Sequence, residues 1–162
     1  MLENKSVKEI ILLIKSKEVL IKEVIEFYIE KINNYNPSLN AIVLQKNEEV
    51  ILKEAISKDK QSKDKIKPLF GLPLACKDLF DVEGLPSTYG FPKFKNNIAK
   101  KNSLIVDRLE NNGAIIIGKT NTAELGVGGH TTNRLFGPTS NAFNISKSAG
   151  GSSGGAATAV AA

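Results

Sequence analysis

Residues 114–118, Ala-Ile-Ile-Ile-Gly, are the most restrictive feature of this sequence. An apolar run of β-branched residues without polar alternation is typical of a strand that is covered on both faces. The preceding residues, NSLIVDRLENNG, predict a helix that ends in two asparagines and a glycine. A second apolar strand is predicted in GLPLACKDLF. This alternation of strands and helices predicts a layered α/β fold.

The N-terminal residues predict a helical hairpin. Ser6 and Glu9 match a capping box and precede apolar residues at the spacing of one helix face. The same spacing returns between Ile21 and Ile32, and the Asn and Pro residues of NNYNPSLN predict the end of this second helix. Farther on, LNAIVL predicts a short strand or buried segment, and NEEVILKEAISKDKQSKDKIK predicts a helix that fades into a charged, exposed tail.

The stretch from Gly126 to Gly155 differs from the rest of the chain. It is rich in Gly, Thr, Asn and Ser and has little hydrophobic periodicity, which predicts a long irregular segment. Long ordered loops are uncommon unless they are functional. We find no internal repeat and no linker that would divide the chain into two folded domains.

Composition limits the classes of function. With 41% hydrophobic and 24% charged residues, the chain suits a soluble globular protein. Apolar stretches such as 10–14 are too short to span a bilayer and no signal peptide is recognisable, so we expect a cytoplasmic protein without membrane contact. Cys76 is the only cysteine, which excludes an internal disulfide. The net charge of +5 comes from lysines that mingle with glutamates, which favours a solvated surface over a nucleic-acid-binding patch.

The last residues of the sequence, 156–162, form a run of strong helix formers. They lack the Gly, Asn or basic residues that normally close a helix. We expect from this that the 162 residues are the front part of a longer protein, with a frayed terminus as the alternative.

The glycine-rich stretch GGSSGG, residues 150–155, could present backbone N–H groups to an anion. It matches neither the P-loop nor the dinucleotide fingerprint, which disfavours nucleotide binding. Ser153 between Gly151 and Gly155 matches the spacing of the nucleophile elbow of α/β-hydrolases. However, the preceding NISKSA is not an apolar strand, and the only histidine, His130, precedes the serine instead of following it. His130 fits a loop residue that forms hydrogen bonds better than a base.

Lys77 is a candidate base in place of a histidine. A lysine can take this role when burial and its neighbours keep the amine neutral. Lys77 follows the apolar residues PLA and Cys76 at the end of a predicted buried strand, where an unpaired lysine is costly. Strand alternation places Cys76 on the opposite face, as an inert core residue. The local pattern leaves open whether Lys77 is a base or forms an ion pair with Asp78 or Asp81.

Four motifs of this chain resemble those of the amidase signature family, whose members cleave or transfer amide nitrogen. They are GLPLACKDLFDVEGLPSTYG, GAIIIGKTNTAELGVGG, RLFGPTSNAFN and GGSSGGAATAVAA, and they occur in the order and spacing of the family. The resemblance implies that residues 1–162 are the N-terminal portion of a single amidase domain. It implies an α/β fold in which an N-terminal helical hairpin precedes the first part of a mixed β-sheet flanked by helices. One departure is Ala149, where many members have proline.

The resemblance also implies two catalytic residues of a Ser-Ser-Lys triad. Lys77 corresponds to the lysine of the "KD" motif, and Ser152 corresponds to the serine that follows a cis peptide bond and relays a proton to the lysine. Ser153 is then a supporting residue that could cap the next helix. The nucleophilic serine and the oxyanion hole of the family lie in a further motif, so we expect the 162 residues alone to be inactive. Amide hydrolysis by the purified chain that is lost on Lys77→Ala would overturn this expectation.

Three functions are compatible with the resemblance. The first is an amide hydrolase that acts on a small-molecule amide, and KDLFDVEGLPSTYG and GGHTTNRLFGPTSN look more like the general hydrolases. The second is the glutaminase, or A, subunit of glutamyl-tRNA amidotransferase, which works with partner subunits. The third is an inactive remnant that only binds or assembles. We expect no cofactor, and no metal since no cluster has ligand spacing, and we expect a structural role for Lys119, Thr120 and Asn121.

Overall fold

The structure is a computed structural model that describes residues 2–61 and 67–162. A short 3₁₀ helix, Pro92–Phe94, and a tight turn at Glu124–Gly126, in which Leu125 has a positive φ of 54°, lie in its loops. In chain order, the helices and strands are α1 (Val7–Ser16), α2 (Ile21–Leu39), β1 (Ile42–Gln45), α3 (Glu48–Asp59), β2 (Pro73–Lys77), α4 (Leu104–Asn111), β3 (Ile115–Thr120), β4 (Ser140–Asn141), β5 (Asn144–Ser148) and α5 (Gly154–Ala161). The predicted α/β fold is confirmed.

The main sheet has the strand order β1-β3-β2 and is mixed, as predicted. Strand β1 runs antiparallel to β3, and β2 runs parallel to it. Every residue of β3 is buried. Ile115 and Ile117 belong to the core beneath α1, α2 and α3, whereas Ile116 packs with Val106 of α4 and with Cys76. The prediction that AIIIG is covered on both faces is therefore confirmed.

Helices α1 and α2 form the predicted N-terminal hairpin. The capping box is present, because Ser6 Oγ accepts from the Glu9 backbone N–H (3.3 Å) and Glu9 Oε2 accepts from the Ser6 N–H (2.8 Å). Ile10 of α1 and Val24 and Ile25 of α2 are buried in one core. The apolar periodicity thus identified the face of each helix that is buried in this core.

Helix α2 ends within the predicted stretch NNYNPSLN, at Leu39, with Asn40 as its C-cap. The part played by proline differs from the prediction, because Pro37 lies inside the helix instead of stopping it. A proline removes a single donor, and the turn still closes because Asn40 adopts a left-handed conformation (φ 50°) and its N–H donates to Asn36 O at 2.7 Å. Asn36 Oδ1 then accepts from the backbone N–H groups of Ala41 and Ile42, at 2.9 and 2.8 Å. These bonds direct the chain from α2 into β1, which is the strand predicted in LNAIVL.

The segment 126–155, predicted to be irregular, contains the small hairpin β4–β5. Its turn closes because Asn141 Oδ1 accepts from the backbone N–H groups of Phe143 (2.9 Å) and Asn144 (3.2 Å). All five residues of β5 are exposed. A strand with no buried face has no reason to alternate apolar and polar residues, so its sequence could not reveal it.

Helix α3 confirms the helix predicted after β1. Asn47 Oδ1 caps it by accepting from the Val50 N–H at 3.3 Å. The charged tail predicted after α3 falls in part on residues 62–66, which lie outside the described residues. Across the two described stretches, no helix combines the length and apolar character that crossing a bilayer requires.

Candidate functional site

Lys77 occupies the last position of β2, at the edge of the sheet where the parallel strands β2 and β3 end. Its half-buried amine donates to two hydroxyls, Ser152 Oγ at 2.7 Å and Ser153 Oγ at 2.8 Å. Lys77 and Ser152 are 75 positions apart in sequence. The fold therefore brings together both predicted site residues, along with the second serine.

Lys77 has no carboxylate partner among the described residues. Asp78, the neighbour that could have paired with it, instead binds Lys119, so the alternative that Lys77 pairs with Asp78 or Asp81 is wrong. Burial lowers the pKa of the Lys77 amine, because an ammonium group loses hydration there and no anion compensates. Burial also raises the pKa of the Cys76 thiol, which agrees with an inert core residue.

Ser152 lies in a loop that its neighbours hold by backbone hydrogen bonds. The peptide bond between Gly151 and Ser152 is cis, as the resemblance implies. The Gly151 N–H donates to Gly129 O at 2.8 Å, and Ser152 O accepts from the Ala123 N–H at 3.1 Å. The serine is thereby attached on both sides to the segment that follows β3.

Ser153 occupies the N-cap position of α5, yet its side chain caps nothing. Its hydroxyl faces Lys77 instead. The Gly154 N–H, in the first turn of α5, donates to Thr131 Oγ1 at 2.7 Å. The expectation that Ser153 caps this helix is therefore wrong for its side chain, because its hydroxyl accepts from Lys77 and not from a backbone N–H of α5.

A buried ion pair between Asp78 and Lys119 lies beside the site. Both side chains are fully buried. Asp78 also accepts the Thr88 hydroxyl, and Lys119 Nζ donates to Pro86 O at 2.8 Å and to Ser87 Oγ at 3.3 Å. The pair thus connects the ends of β2 and β3 to the loop that follows β2. Sequence reasoning assigned Lys119 a structural role and missed its partner; the available signal was a second lysine at the end of a buried strand.

Asn121 and His130 form hydrogen bonds with side chains outside the candidate site. Asn121 Nδ2 donates to Thr139 Oγ1 at 3.0 Å, and Asn121 Oδ1 accepts from Asn133 Nδ2 at 2.7 Å, all inside the fold. His130 is exposed, with Nδ1 at 3.3 Å from Ser148 Oγ. These contacts agree with the structural roles expected for both.

The described residues offer no ready site for a metal ion. In the stretches 2–61 and 67–162, no three His, Cys, Asp or Glu side chains are grouped so that they could hold one. A cavity of about 570 Å³ lies between α2, the sheet and α5, and it is lined mainly by apolar groups such as Leu74, Ala75, Ala159 and Val160. Lys77 and the two serines do not line it.

We expect Gly155→Ala to destabilise the protein by about 1–3 kcal/mol, although alanine normally favours a helix by roughly 1 kcal/mol over glycine. An added Cβ would lie 2.6 Å from Asn121 O and 2.8 Å from Ala41 O, which are backbone atoms that cannot rotate away. Urea unfolding monitored by circular dichroism measures the loss. Gly129→Ala is the control, since its Cβ would meet nothing within 4 Å. Equal midpoints for the two variants would contradict this packing.

Comparison with known proteins finds relatives that match most of the chain. The family model described as Amidase matches residues 23–162. Acylamidase of Rhodococcus erythropolis is 45% identical over 141 residues, which cover 86% of this chain and 30% of that protein. The A subunit of glutamyl-tRNA(Gln) amidotransferase from Prochlorococcus marinus (strain NATL2A) is 42% identical over 151 residues, covering 92% of this chain and 31% of that protein.

A solved structure shows the same fold. The crystal structure of a bacterial aryl acylamidase, an enzyme of the amidase signature family, superimposes with a TM-score of 0.90 at 36% sequence identity. The match covers 97% of this chain and 33% of the aryl acylamidase. The chain thus spans about a third of the length of the relatives it matches. Since the family model matches most of the sequence and the fold agrees, the chain belongs to the amidase signature family.

Proposed function

We propose that residues 1–162 are the N-terminal portion of a single amidase domain in an enzyme that hydrolyses carboxylic amides, with Lys77 and Ser152 as catalytic residues. The observation that carries this proposal is the 2.7 Å contact between Lys77 Nζ and Ser152 Oγ. A lysine that has a lowered pKa and no carboxylate partner within 2–61 and 67–162 is suited to accept a proton from a hydroxyl. The 45% identity to an acylamidase supports amide hydrolysis as the reaction.

In the proposed mechanism, the neutral Lys77 amine accepts the Ser152 hydroxyl proton while Ser152 takes a proton from the attacking group. The attacking serine and the oxyanion donors would come from outside the 162 residues, given that the chain matches about a third of its relatives. When the amide bond breaks, the proton returns from Lys77 through Ser152 to the departing nitrogen. Ser153 Oγ is a second acceptor for Nζ, and it keeps the amine in place during both transfers.

The second candidate is the glutaminase subunit of an amidotransferase, which releases ammonia from glutamine. It is favoured by the 42% identity to the A subunit of glutamyl-tRNA(Gln) amidotransferase over 92% of this chain. The two candidates share the proton relay, and both would act on a small amide in the cytoplasm without a cofactor. They differ in the partner requirement: a general amidase hydrolyses an acyl anilide by itself, whereas a glutaminase subunit needs glutamine and its partner subunits. If the protein hydrolyses neither the anilide nor glutamine, the result favours the third function, an inactive remnant.

We expect kcat/KM for acyl anilide hydrolysis to rise with pH and to level off below pH 10.5, the ordinary pKa of a lysine. The sign follows because the base acts as the neutral amine, whose fraction grows as the pH passes the lowered pKa of Lys77. Anilide hydrolysis is measured on the protein isolated from its own cells, from about pH 5 to 8, where most proteins are most stable, and on to about pH 10 while circular dichroism shows it folded. A rate that does not change over this range would contradict a lysine base, and absence of both anilide and glutamine hydrolysis would contradict the proposed function.

A further inference from the structure

Thr131 stands out among the residues around the site because its buried hydroxyl bridges the two ends of the serine loop. It lies in GGHTTN, on the segment that runs beside this loop, and it is fully buried. Its Oγ1 donates to Gly150 O at 2.9 Å and accepts from the Gly154 N–H at 2.7 Å. Between these two contacts lie the residues that carry both serine hydroxyls.

The backbone around Thr131 adds to this attachment. The Thr131 N–H donates to Ala149 O at 3.0 Å, so the loop is held at its start as well. Gly154 approaches so closely that an added Cβ would overlap Thr131 Oγ1 and would lie 2.7 Å from Ala149 Cβ. The contact between Thr131 and Gly154 therefore requires a hydroxyl on one side and a glycine on the other.

We propose that Thr131 is a positioning residue for the amide-cleaving site, whose hydroxyl sets the path of the loop and thereby the distances of Ser152 and Ser153 from Lys77. This proposal rests on the proposed function and adds to it a residue that does not touch the reacting atoms. Neither hydroxyl contacts Thr131, so its effect on Lys77 passes through the backbone between Gly150 and Gly154. Without the Thr131 hydroxyl, the buried Gly154 N–H loses its acceptor. Because a buried donor without an acceptor costs free energy, we expect the loop to shift until this N–H finds another acceptor.

Two substitutions of Thr131 separate the effect of its hydroxyl group from the effect of its side-chain shape. Thr131→Val keeps the size and removes the hydrogen bonds, whereas Thr131→Ser keeps the hydroxyl and removes a methyl group. Thr158→Val is the matched control, because Thr158 is a buried threonine of α5 whose hydroxyl donates to Ser140 O at 2.9 Å, away from the serine loop. The measurements are the pKa of the Lys77 amine, from an NMR titration, and kcat/KM for acyl anilide hydrolysis.

We expect Thr131→Val to move the pKa of Lys77 up toward 10.5, because a displaced loop lets water reach the amine. In the same variant kcat/KM should fall about 10- to 100-fold, mainly through kcat, as expected when reacting groups are misplaced by about 1 Å. Thr131→Ser should keep the wild-type pKa of Lys77, and Thr158→Val should keep it even if it lowers stability. If Thr131→Val does not fold, Gly154→Ala tests the same contact, because its methyl group would displace the Thr131 hydroxyl.

The proposal is overturned if the pKa of Lys77 changes no more in Thr131→Val than in Thr158→Val. The NMR titration needs no turnover, so it separates this proposal from the proposed function. A pKa change in a protein that hydrolyses no amide supports the positioning role and contradicts the proposed function. Active hydrolysis with an unchanged Lys77 pKa in Thr131→Val contradicts the positioning role alone.

Discussion

Replacing Lys77 by alanine should lower kcat/KM for amide hydrolysis by at least about 10³-fold, with KM little changed. The amine that receives the Ser152 proton would be gone, and no other amine contacts Ser152 Oγ in the described part of the chain. Because the proton moves only during bond making and breaking, the loss should fall on kcat. Steady-state kinetics on an acyl anilide measure this effect. The wild-type protein and the variant are both isolated from the cells that naturally make the protein.

Two further variants give this prediction its controls. Lys77→Arg keeps the positive charge and cannot lose a proton near neutral pH, so it should be as inactive as the alanine variant. Lys53→Ala removes an exposed lysine of α3 and should leave the rate unchanged. Substantial activity in Lys77→Arg would contradict the role of Lys77 as a base. A guanidinium group supplies positive charge and hydrogen bonds but does not accept a proton.

Lys119→Met should reduce the free energy of unfolding by about 3–5 kcal/mol, the usual result of removing one partner from a buried ion pair. The Asp78 carboxylate would remain fully buried without its cation, and only the Thr88 side chain and backbone would still donate to it. Methionine fills a similar volume, so the loss reports mainly the uncompensated charge and not a cavity. Urea unfolding followed by circular dichroism gives the free energy.

A double variant distinguishes lost charge compensation from lost packing. In Lys119→Met/Asp78→Asn the buried charge is absent, so this protein should be more stable than Lys119→Met alone. The amide introduced at position 78 would still accept from the Thr88 hydroxyl through its oxygen, which keeps one contact of the loop after β2. If the double variant is less stable than Lys119→Met, the ion pair is not the origin of the destabilisation.

The sequence predicted well those parts of the fold that have a regular environment. One face of α1 and one face of α2 are buried, so their apolar residues recur with the period of the helix. Strand β3 is buried on both faces, so its apolar residues form an unbroken run. The continuation of α2 through Pro37 and the hairpin β4–β5 escaped prediction. Both depend on asparagine side chains, Asn36 and Asn141, whose oxygens accept from backbone N–H groups. Hydrophobic periodicity carries no information about such side-chain-to-backbone bonds.

The candidate site was predictable in its residue types but not in its pairing. Lys77 and Ser152 were singled out by a motif resemblance, and the lysine also by its place after an apolar strand. Local pattern left open whether Lys77 would bind Asp78. The structure decides against it, since the parallel register aligns Lys77 with Thr120 and leaves Asp78 beside Lys119.

By itself, the amino-acid sequence determined the order of α1 to α4 and β1 to β3, the buried face of most of them and the family of the chain. Only the tertiary structure decided that Asp78 pairs with Lys119 and that Lys77 meets two serine hydroxyls and no carboxylate among the described residues. It also decided that Thr131, and not Ser153, accepts from the first turn of α5. The physical reason is that periodicity records how each segment meets the core, whereas these contacts depend on strand register and loop path between residues that are far apart in the chain.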